Sequence, residues 1–205
     1  MELFGQIRGA LNGDVLHRAS LYLAEEEGKV RRAVSQLIPT FMAASINYVS
    51  TGTGAYSFLC MLQEGRHVGG MLGELAALLS NPHSAKGVLS MGERASEKIF
   101  HGQMPAVVHT VAEECFLHEG SVAALLHLVA MTMLGVLGRE VASRKMESRD
   151  VVELVLDQRR VTARALPPEI AKIIELYQNP GDGRNAIGST TWTLKKLKLF
   201  RLFPS

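Results

Sequence analysis

A histidine- and glutamate-rich segment, "HTVAEECFLHEG" at 109–120, contains the side chains best suited to chemistry. His109 with Glu113, and Glu114 with His118, are i, i+4 pairs, which on a helix can meet, hold a metal ion or exchange a proton. The two pairs are five residues apart and therefore point about 140° apart, at roughly 100° per residue. They cannot form one site on a straight helix. His109, Glu113 and His118 are the only metal candidates, and solvated or helix-stabilising pairs are the favoured interpretation.

Two cysteines and one histidine lie in apolar helical patterns. Cys115 is close to His118 in sequence, but no oxyanion site or third orienting group accompanies it. Cys60 and Cys115 are therefore interpreted as buried thiols in a reducing compartment. His127, surrounded by leucine and alanine, is expected to be a core histidine with one hydrogen-bond partner. We expect no cofactor and no catalytic residue.

The charge is nearly balanced except at the C-terminal end. Lys and Arg total 22 against 20 for Asp and Glu, so a net charge of +2 provides no field that would attract nucleic acid. The segment 192–203 differs, because it combines apolar residues with cations that no acid opposes. Such a mixture can contact an anionic membrane or a partner groove. The candidate contact residues are Trp192, Lys195, Lys196, Lys198 and Arg201.

Apolar residues recur at spacings of three and four through most of the chain, which predicts an all-α protein. The predicted helices cover 14–26, 29–49, 54–64, 70–79, 88–100, 104–117, 121–143, 148–160 and 167–177. Residues 179–205 contain the turn-rich stretch "NPGDGRNAIGST" and the basic tail. The sequence thus predicts one helical domain over 1–178, followed by a linker and a flexible basic tail.

A weak internal repeat divides the helical region. Residues 26–45 align without gaps on 118–137, at an offset of 120 − 28 = 92 residues. Each long helix is followed by a short polar break and another helix. The sequence therefore predicts a multi-helix bundle built from two similar units, at 14–65 and 104–160.

Two long uncharged stretches, 33–63 and 120–138, are each long enough to cross a membrane. The first contains Pro39 and Asn47, and the second contains His127 and Thr132. Such polar groups find partners inside a protein but are costly when they face lipid. Both stretches are therefore expected to form the buried core of the bundle, with small residues such as Gly135 allowing close helix packing.

Four pieces of residues 100–160 form a recognisable pattern: Phe100–Gly102, Gly120–Ser121 as a turn, Gly135–Arg139 at the end of a Leu/Ala-rich helix, and Leu156–Gln158. In this pattern the segment resembles the YidB-like family of bacterial domains of unknown function. Met131 departs from the pattern, which tends to have proline there. The resemblance extends over about residues 15–160 and implies an all-helical bacterial domain. It implies no activity and no catalytic residues.

Three functions remain open from the sequence. The first is a non-catalytic, cytoplasmic domain for protein–protein interaction or scaffolding, which binds an unidentified protein or a second copy of itself. The second is a peripheral adaptor at the inner membrane that uses the basic tail. The third is a metal-dependent enzyme or metal carrier centred on His109, Glu113 and His118. We expect no nucleic-acid partner.

Overall fold

The computed structural model of the protein describes residues 3–51, 53–64 and 70–174. Within these ranges the chain forms helices and no strand, so the predicted all-α bundle is confirmed. The first half contains α1 (Leu3–Ala10), α2 (Gly13–Leu23), α3 (Glu27–Val49), α4 (Gly54–Glu64), a 3-10 turn (Leu72–Glu74) and α5 (Leu75–Leu79). The second half contains α6 (Pro82–Phe100), α7 (Met104–Cys115), α8 (Glu119–Arg144), α9 (Ser148–Leu156), α10 (Arg159–Ala165) and α11 (Pro168–Ile174).

Several helix boundaries differ from the predicted ones for identifiable reasons. Helix α6 begins at Pro82 rather than at 88, because the Asn81 side chain accepts hydrogen bonds from the amides of His83 and Ser84. The predicted helix at 148–160 is two helices, α9 and α10. Gly120 and Ser121 lie in the first turn of α8 and do not form the turn that the family resemblance implied.

Helices α3 and α8 form the centre of the bundle. Helix α8 packs against α6 and α3, and also contacts α4 and α7. Its length and mean hydropathy would allow it to cross a membrane, but 83% of its most apolar 18-residue window is buried inside the protein. The expected inward packing of this stretch is therefore observed.

Four buried hydroxyl groups of α3, α6 and α8 donate hydrogen bonds within their own helix. Thr40 and Thr132 are fully buried, and each donates to the carbonyl oxygen four residues earlier, at 2.7 Å and 2.8 Å. Ser45 and Ser96 do the same. Because each hydroxyl finds an acceptor, these helices can be buried on nearly every face despite their polar residues.

The last described helix, α11, is held by two side-chain amides. Asn47 of α3 donates to the carbonyl of Ile174 at 2.7 Å, and Gln103 donates to that of Ile173 at 3.0 Å. Ile170 and Ile174 are buried. The last described turn of the chain is thus part of the packed domain. The predicted domain end at 178 and the linker and tail at 179–205 lie outside the described residues.

The helices of the predicted repeat follow the same order in both halves. Helices α2, α3 and α4 in the first half correspond to α7, α8 and α9 in the second. Helix α3 begins at Glu27 and α8 at Glu119, an offset of 119 − 27 = 92 residues, which equals the offset of the sequence alignment. The same offset relates the left-handed residues Ala24 and Phe116, which end α2 and α7.

Candidate functional site

The ends of α2 and α7 meet in a region that we call the junction, residues 21–26 and 113–119. Ala24 and Phe116 each have φ of 55°. The amide of the following residue donates back to the preceding helix in each loop. The Glu25 amide donates to the Ser20 carbonyl and the Leu117 amide to the Ala112 carbonyl, both at 3.0 Å. The two loops are joined directly, because the His118 amide donates to the Glu25 carboxylate at 3.3 Å.

A histidine–carboxylate contact fastens each short helix to the start of the long helix that follows. At the first corner, defined as His17, Glu27 and Arg31, His17 Nδ1 lies 2.8 Å from Glu27 Oε2. Arg31 donates from Nε to Glu27 Oε1 at 2.8 Å. The hydrogen bond from Arg31, followed by that from His17, lowers the pKa of Glu27.

The second corner, defined as His109, Glu113 and Glu119, repeats this contact at an offset of 92 residues, 109 minus 17. His109 Nδ1 lies 2.8 Å from Glu119 Oε1, and its Nε2 lies 3.5 Å from Glu113 Oε1. The hydrogen bond with Glu119, followed by the charge of Glu113, raises the pKa of His109. Alanine, Ala123, occupies the repeat position of Arg31. The second corner therefore lacks the guanidinium of the first.

The structure brings together only some of the predicted site residues. His109 and Glu113 are in contact, as their spacing predicted. The predicted helical pair Glu114–His118 is wrong, because α7 ends at Cys115 and the left-handed Phe116 turns the chain. Glu114 instead accepts a hydrogen bond from Gln36 of α3 at 2.9 Å.

The second corner is not arranged as a metal site. Glu113 and Glu119 lie at opposite nitrogens of the His109 ring, so one ion cannot bind all three side chains. Across the described ranges, no group of three or more His, Cys, Asp or Glu side chains is placed to hold a metal ion. What the second corner can do is exchange a proton with solvent.

The two thiols and His127 belong to neither corner. Cys115 is buried and Cys60 half-buried, and both are unpaired. Burial raises the pKa of Cys115, although the charge of Arg32 acts in the opposite direction. Burial lowers the pKa of half-buried His127, whose Nε2 has no hydrogen-bond partner in the described part of the chain.

Exposed apolar side chains occur at the junction. Phe116 is 76% exposed and Leu21 is 61% exposed, and Tyr22 is exposed as well. Tyr22 borders a shallow apolar hollow that Leu79, Leu89 and Leu128 also line. Phe116, Leu21 and Tyr22 all belong to the junction, and exposed apolar side chains that form one patch are typical of surfaces that contact another molecule.

Phe116 is not among the predicted site residues, since its exposure results from the left-handed turn that it makes itself. His17 and Glu27 are not among them either. A signal for them existed: extending the repeat alignment nine residues toward the N-terminus pairs His17 with His109. The predicted tail residues lie outside the described part of the chain: Trp192, Lys195, Lys196, Lys198 and Arg201.

A family model described as a bacterial protein of unknown function, DUF937, matches residues 5–140. No curated protein and no solved structure matches the chain. The match covers more than half of the chain and is consistent with the YidB-like resemblance. It includes the junction and both corners.

Proposed function

The chain belongs to the DUF937 family of bacterial proteins of unknown function, and from the exposed apolar residues of the junction we propose that it acts as a non-catalytic interaction domain whose contact surface is the junction. The domain would bind another protein chain or a second copy of itself in the cytoplasm. Phe116, with Leu21 and Tyr22, would supply the apolar contact.

Phe116 is the observation that carries this proposal. Its backbone has φ of 55°, a conformation that is unfavourable for a bulky residue, and its ring is largely in solvent. The other non-glycine residues with positive φ in the described chain are Ala24, His101 and Lys145, whose side chains are smaller or polar. An exposed phenyl ring held in a costly conformation gains nothing from its own fold, which favours a role in contact with a partner.

The test compares two substitutions at equivalent positions. Phe116→Ser removes the ring, whereas Ala24→Ser changes the equivalent left-handed residue of the first unit. Light scattering would measure self-association, and proximity labelling in the native cell would measure contact with other proteins. We expect Phe116→Ser to lose the association that wild type and Ala24→Ser retain. A monomeric wild-type protein whose labelling pattern Phe116→Ser leaves unchanged would refute the proposal.

The basic tail favours a second candidate, a peripheral adaptor at the inner membrane. Four cations without an opposing acid, among apolar residues, would give roughly 1 kcal/mol each at an anionic surface. That supports weak and reversible attachment. Sedimentation with phosphatidylserine-containing vesicles, with and without residues 192–203, tests this role. Equal sedimentation of the two forms would remove the tail from consideration.

A further inference from the structure

The two corners share one geometry but differ in their permanent charge. In each, Nδ1 of a histidine lies 2.8 Å from the glutamate that begins the long helix. At the first corner, the guanidinium of Arg31 also binds that glutamate. At the second corner, alanine replaces the arginine, and a further carboxylate, Glu113, approaches the other ring nitrogen.

We propose that the second corner is a pH-sensitive latch that holds Phe116 in its exposed position, whereas Arg31 keeps the first corner closed over the same pH range. This regulatory role for Phe116 rests on the proposed function. The latch itself can be tested without any partner.

The physical basis is the number of N–H groups on the ring. A protonated His109 carries one on each nitrogen, so it can donate to Glu119 and face Glu113 favourably at the same time. The neutral ring keeps one N–H, and its other nitrogen presents a lone pair to a carboxylate. When the proton leaves to solvent, the N–H kept on Nδ1 still donates to Glu119 but without the positive charge of the ring, so that hydrogen bond weakens, and Nε2 turns its lone pair toward Glu113. The hydrogen bond between Glu119 and His109 is the one that joins α7 to α8.

The charges that act on His109 are those of Glu113 and Glu119. Two further carboxylates near the second corner have hydrogen-bond partners of their own. Glu114 accepts a hydrogen bond from Gln36 of α3, and Glu25 of the first unit accepts the His118 amide. None of these contacts supplies a permanent cation to the second corner.

The two corners should respond to pH in different ranges. Because the pKa of His109 is raised, its stabilising contribution is fully present below the ordinary histidine pKa of 6.5 and is lost as the pH rises through the raised value. Because the pKa of Glu27 is lowered, the first corner keeps its contribution above the ordinary value of 4.5. It loses that contribution only as the pH falls through the lowered value. Raising the pH through neutrality should therefore loosen the second corner alone.

Amide hydrogen exchange of the full chain, measured by NMR, tests the latch. The amide of Leu117 donates to Ala112 at the second corner, and the equivalent amide of Glu25 donates to Ser20 at the first. Protection factors, corrected for the intrinsic exchange rate, would be compared between about pH 5.5 and about pH 8.5, the range in which histidine titrates. We expect the protection factor of the Leu117 amide to fall about two- to fivefold as the pH rises, because a fold-change of that size corresponds to the free energy of one exposed ion pair. The protection factor of the Glu25 amide should stay constant.

Matched variants assign the effect to its residues. His109→Gln should make the Leu117 profile flat, and His17→Gln should not affect it. Arg31→Ala should give the first corner a neutral-pH response like that of the second. Ala123→Arg should suppress the response of the second corner. A pH-independent Leu117 amide in wild type, or a response that survives His109→Gln, would refute the latch.

The latch and the proposed function fail separately. Phe116→Ser removes the contact ring but leaves His109, Glu113 and Glu119 in place, so its Leu117 profile should match that of wild type. If association proves independent of Phe116 while the Leu117 profile behaves as expected, only the contact role is refuted. If the profile is flat while association needs Phe116, only the latch is refuted.

Discussion

Phe116 combines an unfavourable backbone conformation with an exposed ring. Glycine adopts positive φ without steric cost, and little buried surface is lost when a side chain that is 76% exposed is removed. We therefore expect Phe116→Gly to raise the free energy of unfolding by about 1 kcal/mol, measured by urea denaturation, while weakening association.

Ala24→Gly is the control for that substitution, since Ala24 has the same φ of 55°. It should also stabilise the protein but leave association intact. If Phe116→Gly destabilised the protein while Ala24→Gly stabilised it, the ring would have a structural role in its own domain.

The two thiols should react at different rates because they differ in exposure. Cys115 is 1% exposed and its pKa is raised by burial, whereas Cys60 is half-buried. We expect a thiol-specific reagent to modify Cys60 in the native protein and Cys115 only after unfolding. Comparison of Cys60→Ser with Cys115→Ser identifies which thiol has reacted. Rapid native modification of Cys115 would show that its surroundings open.

Helices α6 and α8 are the most extensively packed pair, and their separation is set by a glycine. A Cβ at Gly92 would overlap the backbone carbonyl of His127, which cannot move like a side-chain end. Gly92→Ala should therefore lower the free energy of unfolding by about 1–3 kcal/mol, or more if the helices cannot separate.

Gly87 on the same helix provides the control. A Cβ there would meet no atom within 4 Å, so Gly87→Ala should stabilise α6 by about 0.5–1 kcal/mol through helix propensity. Denaturant midpoints of the two variants measure both effects. Equal effects of the two substitutions would contradict the close approach of α6 and α8.

For the whole molecule, α11 marks the last described part of the stable domain. Helix α11 buries Ile170 and Ile174, and Asn47 and Gln103 bind its last described carbonyls. We expect removal of 179–205 to leave the thermal midpoint unchanged, because α11 makes its buried contacts and its hydrogen bonds with Asn47 and Gln103 through residues up to Ile174.

The matched truncation, removal of everything from 167 onward, exposes the partners of α11 and leaves both amides without their acceptors. It should destabilise the protein by several kcal/mol, because buried isoleucines contribute about 2 kcal/mol or more each. Calorimetry of the two truncated forms measures the difference. A large loss of stability in the shorter truncation would extend the domain beyond 178.

Sequence alone determined the fold class and the central helices. The 3.6-residue periodicity and the two long uncharged stretches predict a helical bundle, since helices apolar on nearly every face need neighbours on every face. The same pattern missed α1, and it placed the start of α6 six residues late, because a cap depends on individual hydrogen bonds of Asn81 rather than on periodicity.

Only the tertiary structure decided which polar residues meet. His109 and Glu113 share a helix, so their spacing predicted the contact, but Glu119 joins them only because the chain reverses at Phe116. Likewise, Gln36 and Glu114 are 78 residues apart in sequence and meet through packing of α3 against α7. A local pattern specifies the faces of a helix, whereas the angle of a turn and the docking of distant helices depend on all of the packing at once.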